Sequence, residues 1–239
     1  MSVFLEAKWR DLVMLSWTVD PSMLAPRVPA GTTLDLFEGR CFVSLIAFRF
    51  EDTVVRGIPI PFHRDFEEIN LRFYVTRREG AELRRGVVFI KEIVPRAAIA
   101  FVARTLYGEP YEAMPTSSRI REDAKGKTAS YAWRQGARAH SVRMECGPDA
   151  AVPAAGTVEG FIAEHYWGYT ARGRGATDEY RVEHPAWMVR ASTQVYRDLD
   201  AGALYGPEFA EVLAGPPESA FLAEGSRITV HAGRRLTPP

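Results

Sequence analysis

The chain has 239 residues, of which 46% are hydrophobic and 25% are charged, a composition typical of a soluble globular protein with a sizeable core. Thirty basic residues balance thirty acidic ones, so the protein lacks the overall positive field that favours binding of polyanions. We therefore expect neither nucleic acid nor a membrane surface as a partner.

The N-terminal stretch MSVFLEAKWRDLVML carries four charged residues before any long apolar run develops, which is not typical of a signal peptide or a membrane span. We expect a cytoplasmic protein, with a homo-oligomer left open. The two cysteines lie far apart without companions at ligand spacing. Neither a disulfide framework nor a zinc cluster is predicted.

Strand-like segments dominate the chain. Runs rich in β-branched and aromatic residues, several alternating with period two, occur at 11–19, 41–50, 68–76 and 86–94. Shorter candidates follow at 128–134, 137–145, 178–184, 193–199 and 226–232. This spacing predicts mainly antiparallel strands in a barrel or a sandwich.

Helices are predicted to be the minority. The clearest is 95–107, which begins with Pro95 and is followed by Gly108; two more are predicted at 157–167 and 202–214. The Ala-, Pro- and Gly-rich stretch 146–156 is either a boundary or a surface loop. A single domain over 1–239 is the simplest organisation.

The segment GIPIPFHRDFEEINLRF (57–73) brings several polar residues together around a strand start. Strand alternation places Glu68, Asn70 and Arg72 on one face, opposite an apolar face. Two interpretations stay open. The polar face is either a solvated outer surface with an ordinary Glu68–Arg72 pair, or the interior wall of a ligand cavity.

A second polar and aromatic group lies in AEHYWGYT (163–170), where His165, Tyr166, Trp167 and Tyr169 fall within five positions. These side chains either line a pocket or fill the core. The five histidines of the chain are scattered, so no metal is expected. The chain also has no nucleophile elbow, P-loop or dinucleotide fingerprint, and we expect no cofactor.

Several long blocks of the sequence resemble the YqjF-like family of uncharacterised proteins. These blocks are AKWRDLVMLSWTVDP, PIPFHRDFEEINLRFYV, RRGVVFIKEIVPRAAIAFVARTLYGEPY, EGFIAEHYWGYT and SAFLAEGS. That family is distantly similar to acetoacetate decarboxylase. The resemblance implies an α+β fold, mostly antiparallel, in which a cone-shaped barrel with packed helices surrounds an internal pocket.

Acetoacetate decarboxylase forms a Schiff base on one lysine of an adjacent pair, assisted by an arginine and a glutamate. Carried over by position, the arginine corresponds to Arg10 and the glutamate to Glu68. The segment AIAFVARTLYGEPYE matches at Arg104, but the two lysines fall on Tyr111 and Glu112. The resemblance therefore does not extend to Schiff-base chemistry at that position.

The remaining lysines offer few substitutes for the missing pair. Lys125 and Lys127 lie in DAKGKT, a predicted turn in which their ammonium groups should be solvated, and Lys8 has charged and aromatic neighbours. Lys91, in the apolar run VVFIKEIV, is the one candidate for an activated amine. An amine that extends to solvent is the alternative for Lys91.

Our hypothesis from the sequence is a pocket for a small oxygen-bearing organic molecule, carboxylate or enolate-like, without a covalent lysine. Arg10 would hydrogen-bond the ligand, Glu68 would act as base or acceptor, and Tyr111 would be a neutral donor. Expected neighbours are His63, Arg104, His165, Tyr166, Trp167 and Tyr169. Proton abstraction, hydration and noncovalent decarboxylation stay open, as does a noncatalytic binding or regulatory module.

Overall fold

The computed structural model describes residues 2–100 and 108–236. Its long strands are β1 (Val3–Val19), β3 (Cys41–Val55), β5 (Phe66–Glu79), β6 (Glu82–Val94) and β14 (Ser219–His231). The shorter strands are β2 (Thr33–Leu34), β4 (Ile58–Pro59), β7 (Tyr111–Ala113), β8 (Thr116–Asp123), β9 (Gly126–Gln135), β10 (Arg138–Cys146), β11 (Trp167–Arg172), β12 (Ala176–Glu183), β13 (Val189–Asp198) and β15 (Arg234–Leu236). Each strand predicted from the sequence coincides with one of these, and several extend further.

The strand pairings close on themselves. Hydrogen-bonded neighbours run from β12 through β11, β6, β5, β3, β1 and β14, and β14 pairs again with β12. Within this ring every pair is antiparallel except β6 with β11. The short strand β7 is added to β6 in parallel. The prediction of a mainly antiparallel α+β fold is confirmed.

Both faces of the ring strands are buried, in two separate cores. On β5, Leu71 belongs to a core that includes Tyr131 of β9 and Phe209. Tyr74 of the same strand belongs to the second core, with Phe48 of β3. Because side chains alternate along a strand, β1, β3, β5, β6 and β14 contribute to both cores, and most of the core side chains that surround the cavity described below belong to the second core.

The helices are short. They are α1 (Pro21–Leu24), α2 (Val158–Ala163), α3 (Ala201–Tyr205) and α4 (Ala210–Ala214), with 3-10 turns at Ala25–Arg27, Gly173–Gly175 and Pro207–Phe209. Among the described residues, no helix is long and apolar enough to span a membrane.

Two predicted helices need correction and a third is described in part. Helix α2 starts after the predicted N-cap Thr157 but ends at Ala163, because the chain enters β11 soon afterwards. The predicted helix 202–214 is divided into α3 and α4 at Gly206, whose φ is 118° and which precedes a proline. For the predicted helix 95–107, residues 97–100 are helical and 101–107 lie outside the described residues.

Candidate functional site

A cavity of about 270 Å³ lies inside the strand ring. All seven ring strands contribute to its wall, together with residues of the loop before β5 and of the segment before β7. Most of the lining side chains are aliphatic or aromatic. The polar and charged exceptions concentrate on β5, β6 and the approach to β7, and include Glu68, Asn70, Arg72, Glu92, Glu109 and Tyr111.

Strand register explains why these polar residues meet. Asn70 on β5 pairs with Glu92 on β6, and Glu92 pairs with Tyr111 on β7. Residues directly opposite each other across a ladder point to the same face of the sheet. Glu68, two residues before Asn70, faces the same way. The polar face predicted from the alternation of Glu68, Asn70 and Arg72 is therefore the cavity wall.

Glu68 is held by two side-chain donors. Asn70 donates through Nδ2 to Oε1 at 2.9 Å, and the Tyr111 hydroxyl donates to Oε2 at 3.0 Å. Only 3% of Glu68 is exposed. Burial raises the pKa of Glu68 to about 7, against the opposing effects of these two donors and of the positive charge of Arg72. Near neutral pH the Glu68 carboxyl is therefore present both as an acid and as a base.

Two further carboxyl groups are buried in the same wall. Thr170 donates to Oε1 of Glu109 at 2.6 Å, and burial raises the pKa of Glu109 to about 8. Burial, followed by the charges of Glu109 and Glu68, raises the pKa of Glu92 well above its usual value. Oε2 of Glu92 has no hydrogen-bond partner among the described residues. At pH 7 most of the Glu109 population is therefore protonated and can donate, and the raised pKa of Glu92 favours its protonated form.

Tyr111 and Tyr180 are phenols in the wall of this cavity. Burial and the charges of Glu68 and Glu92 raise the pKa of Tyr111 well above its usual value, so Tyr111 is a neutral donor. Tyr180, opposite Gly168 in the β11–β12 ladder, hydrogen-bonds Glu109. A Cβ atom on Gly168 would lie 2.1 Å from Cζ of Tyr180, so glycine is required for this ring position.

Five residues predicted from the sequence line the cavity: Glu68, Tyr111, His63, His165 and Trp167. The Nε2 atom of His165 lies 3.0 Å from Oδ2 of Asp35. Burial lowers the pKa of His165 to about 4, although the Asp35 carboxylate opposes this effect. The imidazole is therefore neutral at physiological pH.

Other predicted site residues lie elsewhere. Arg10 is not among the lining residues, because its neighbours Trp9 and Leu12 on β1 take the cavity-facing positions; Arg72 supplies a guanidinium to the wall instead. Tyr169 is fully buried in the other core.

The position of Tyr169 follows from strand alternation, since its neighbours Gly168 and Thr170 point towards the cavity side. Tyr166 lines a separate, shallow groove beside His184 and Pro185. Arg104 lies outside the described residues.

Lys91 does not take the place of the missing lysine pair. Its Nζ lies 2.8 Å from Oε2 of Glu112, and Lys91 pairs across the ladder with Leu71, whose side chain belongs to the first core and not to the cavity wall. The adjacent residue Glu92 faces the cavity. None of the four lysines lines the cavity, and Tyr111 occupies the cavity-facing position of the Tyr111–Glu112 pair.

The prediction of a solvated Lys127 is wrong. This lysine is buried, with Nζ 2.6 Å from Asp11 Oδ1 and 2.6 Å from Glu224 Oε2. Burial by itself would lower the pKa of Lys127, but the hydrogen bonds to these two carboxylates raise it above its usual value. The local sequence predicts a turn because Lys127 follows Gly126. The carboxylate partners of Lys127, Asp11 and Glu224, lie on strands about a hundred residues away in the sequence.

Sequence reasoning missed Glu92 and Glu109 as site residues. Glu92 had a usable signal, since a carboxylate in the apolar run VVFIKEIV must be either solvated or paired. Glu109 stands between a glycine and a proline, where no periodicity predicts its direction. Among the described residues, no group of three or more His, Cys, Asp or Glu side chains is arranged to hold a metal ion.

Residues 6–227 match the model of the DUF2071 family, which is described as an uncharacterized conserved protein. One relative is the uncharacterized protein YqjF of Bacillus subtilis (strain 168), which is 33% identical over 104 residues. That match covers 43% of this chain and 41% of the relative, less than half of its length.

Similar folds occur among solved structures. An acetoacetate decarboxylase from Legionella pneumophila has a TM-score of 0.69 at 12% identity, with 99% of this chain and 88% of that chain covered. An acetoacetate decarboxylase-like enzyme from Sphingomonas wittichii RW1 has a TM-score of 0.67 at 14% identity, covering 100% and 95%. The enduracididine biosynthesis enzyme MppR complexed with pyruvate has a TM-score of 0.69 at 13% identity, covering 100% and 92%. At such identities the likeness establishes the fold alone.

Proposed function

This chain belongs to the DUF2071 family, and from that premise we propose that it is a noncovalent acid–base enzyme whose cavity binds a small oxygen-bearing organic molecule. The observation that supports this proposal is the environment of Glu68. Its carboxyl group is buried, has a pKa of about 7 and shares the cavity wall with Glu92 and Glu109, whose pKa values burial also raises. A base with a pKa near neutrality, together with an acid whose pKa is raised by burial, is typical of proton-transfer enzymes.

The proposed reaction is proton abstraction next to a carbonyl group. The Glu68 carboxylate takes a proton from the carbon atom beside the carbonyl, and the C–H electron pair moves to form the C=C bond of an enol. The carbonyl oxygen receives a proton from Glu92, whose Oε2 has no partner among the described residues. The protein gains one proton at Glu68 and loses one at Glu92, so the step needs no oxidant or cofactor.

The wall favours a carbonyl or enol over a carboxylate as the reacting group. Three buried carboxyl groups face the cavity, and Arg72 is the guanidinium in its wall. A carboxylate ligand would add a negative charge to a wall in which burial and the neighbouring carboxyl groups already disfavour ionisation. A neutral carbonyl oxygen would instead accept a hydrogen bond from Glu92 in its protonated form, while the single phenolic proton of Tyr111 stays with Glu68.

The neighbouring fold family supports a small carbonyl ligand but not a shared mechanism. One structural neighbour is an acetoacetate decarboxylase, and another is an enzyme complexed with pyruvate. In this chain the four lysines lie outside the cavity wall, and Tyr111 stands where the resemblance would require an amine. We therefore propose catalysis without a covalent intermediate.

Hydrogen–deuterium exchange tests the proposal. The protein is incubated in D₂O with 4-phenylbutan-2-one, and loss of the signals of the protons beside the carbonyl is followed by proton NMR. We expect exchange above the buffer rate, reduced at least about 100-fold in Glu68→Gln. The matched control is Glu67→Gln, since Glu67 is hydrogen-bonded to Thr116 and Ser118 and lies outside the cavity wall.

Two results would count against this function. Binding of the ketone without any exchange would reject catalysis and favour the alternative, a noncatalytic small-molecule-binding module. Equal loss of exchange in Glu67→Gln and Glu68→Gln, with both variants folded, would show that Glu68 has no special role.

A further inference from the structure

The cavity wall contains an aromatic row next to its acidic residues. Trp9 on β1 pairs with Phe50 on β3, and Phe50 pairs with Phe66 on β5. The rings of Phe50 and Phe66 are stacked, with centroids 4.6 Å apart, and the Trp9 and Phe50 centroids are 5.8 Å apart. All three residues line the cavity.

The aromatic surface continues beyond this row. Phe48 contacts Trp9 edge-on at 5.3 Å between centroids, and Trp187 contacts Trp9 at 6.1 Å. Both of these residues also line the cavity. A wall of this kind binds flat or bulky apolar groups, because aromatic contacts add to the gain from buried area.

The distance between the aromatic row and the proposed base is short and set by the strand. Glu68 follows Phe66 by two residues on β5, and the two side chains share one face. Two residues of extended strand correspond to about 7 Å. The polar Asn70, Glu92 and Tyr111 lie one further step along the same face. The wall therefore changes from aromatic to acidic over the length of a small molecule.

We propose that the natural ligand is an amphipathic carbonyl compound with a bulky apolar group, of the size of a six-membered ring. The apolar group lies against Trp9, Phe50 and Phe66, and the carbonyl group lies between Glu68 and Glu92. The identity of the head group rests on the proposed function, whereas the apolar group is inferred from the aromatic row alone. A two- or three-carbon substrate would leave this row unfilled.

Isothermal titration with two methyl ketones tests this inference on the unmodified protein. Butan-2-one and 4-phenylbutan-2-one share a methyl ketone head group and differ by the phenyl ring. We expect the phenyl ketone to bind at least about tenfold more tightly, because the ring buries apolar surface against the aromatic row. Equal affinities would overturn the proposal without requiring any variant to fold.

A pair of variants locates the ring. In Phe50→Leu the phenyl ketone should lose about tenfold in affinity, while the affinity for butan-2-one stays unchanged. The control is Phe62→Leu, since Phe62 is 84% exposed, and it should bind both ketones as the parent protein does. Unchanged affinity for the phenyl ketone in folded Phe50→Leu would also overturn the proposal.

The same samples separate this inference from the proposed function. Preference for the phenyl ketone without hydrogen–deuterium exchange would support the aromatic site and reject the proposed catalysis. Exchange of both ketones with equal affinity would leave the catalysis standing and reject the apolar group as a determinant of binding.

Discussion

Two clusters of buried carboxyl groups in this protein behave in opposite ways. In the cavity, Glu68, Glu92 and Glu109 face one another, and burial raises the pKa of each. On β14, the partly buried Glu224 is hydrogen-bonded to Lys127 and Arg190. Burial by itself would raise the pKa of Glu224, but these two cations hold it below its usual value.

The difference lies in charge compensation. Lys127 contacts both Asp11 and Glu224, so the second cluster alternates in sign. The cavity carboxyl groups are hydrogen-bonded by neutral donors such as Asn70, Tyr111 and Thr170, and the charge of Arg72 does not outweigh the effect of burial on Glu68. A compensated cluster connects distant strands and stabilises the fold, whereas an uncompensated one keeps protons available at neutral pH. Similar side chains thus acquire different roles from their neighbours.

The largest expected effect comes from breaking the compensated cluster. Lys127→Met would leave two carboxylates partly buried without their ammonium partner, at a cost of about 3–5 kcal/mol in the free energy of unfolding. Urea denaturation at pH 7 measures this loss. Lys125→Met is the matched control, because Lys125 is exposed two residues away. A loss below about 1 kcal/mol would mean that the Lys127 cluster does not stabilise the fold.

The stability that the cavity cluster contributes should decrease as the pH rises. Glu109 has a folded pKa of about 8 against an ordinary value of 4.5, so its contribution to stability is complete below 4.5 and is lost as the pH rises through 8. Glu109→Gln should therefore be more stable than the parent at pH 9. Between pH 4 and pH 9, the free energy of unfolding of this variant should rise by roughly 2–4 kcal/mol relative to that of the parent.

Urea midpoints at pH 4, 7 and 9 measure that dependence. Glu112→Gln serves as the control, since Glu112 is partly exposed and paired with Lys91. The stability of the parent should fall relative to that of Glu109→Gln between pH 4 and pH 9. If it does not fall, the pKa of Glu109 is not raised.

A smaller effect is expected where glycine makes room for the cavity phenol. Gly168→Ala would place a Cβ 2.1 Å from the Tyr180 ring, which must move, at a cost of about 1–3 kcal/mol. Thermal denaturation of this variant is compared with Gly173→Ala, since no atom lies within 4 Å of a Cβ built at Gly173. Equal stability of the two variants would show that Tyr180 does not depend on Gly168.

The smallest expected effect sharpens the account of Glu68. Tyr111→Phe removes the hydroxyl that donates to Oε2 of Glu68, which should raise the pKa of Glu68 further, by up to about one unit. The pH profile of ketone exchange would then shift to higher pH, because exchange requires ionised Glu68. Tyr196→Phe is a control at an exposed position. A profile that shifts to lower pH would contradict the donor role of Tyr111.

Local patterns were enough to predict much of the fold. The nine predicted strand segments coincide with observed strands, because alternation and β-branched runs report directly on a half-buried or fully buried extended chain. Helix ends were less accurate. Gly206, with φ of 118°, divides the helix that an amphipathic pattern predicted over 202–214. A positive φ is a property of one residue in its context, and periodicity does not detect it.

The candidate site was predicted in part for the same reason. Glu68, Asn70 and Arg72 share one face of β5 by alternation alone. Which face encloses the cavity depended on closure of the ring, because Leu71 on the opposite face is equally buried in another core. Arg10 was predicted to face the ligand, but Trp9 and Leu12 occupy the cavity positions on β1 and Arg10 does not line the cavity.

The sequence by itself determined the strand-rich class, the alternation of polar and apolar faces, and the absence of a lysine at Tyr111. Tertiary structure decided which charges have partners. Glu92 and Lys127 are both charged residues in ordinary-looking segments, yet one faces other carboxyl groups and the other contacts Asp11 and Glu224 from distant strands. A pKa depends on burial and on charges within a few ångströms, and those neighbours are assembled only when strands distant in sequence pack together.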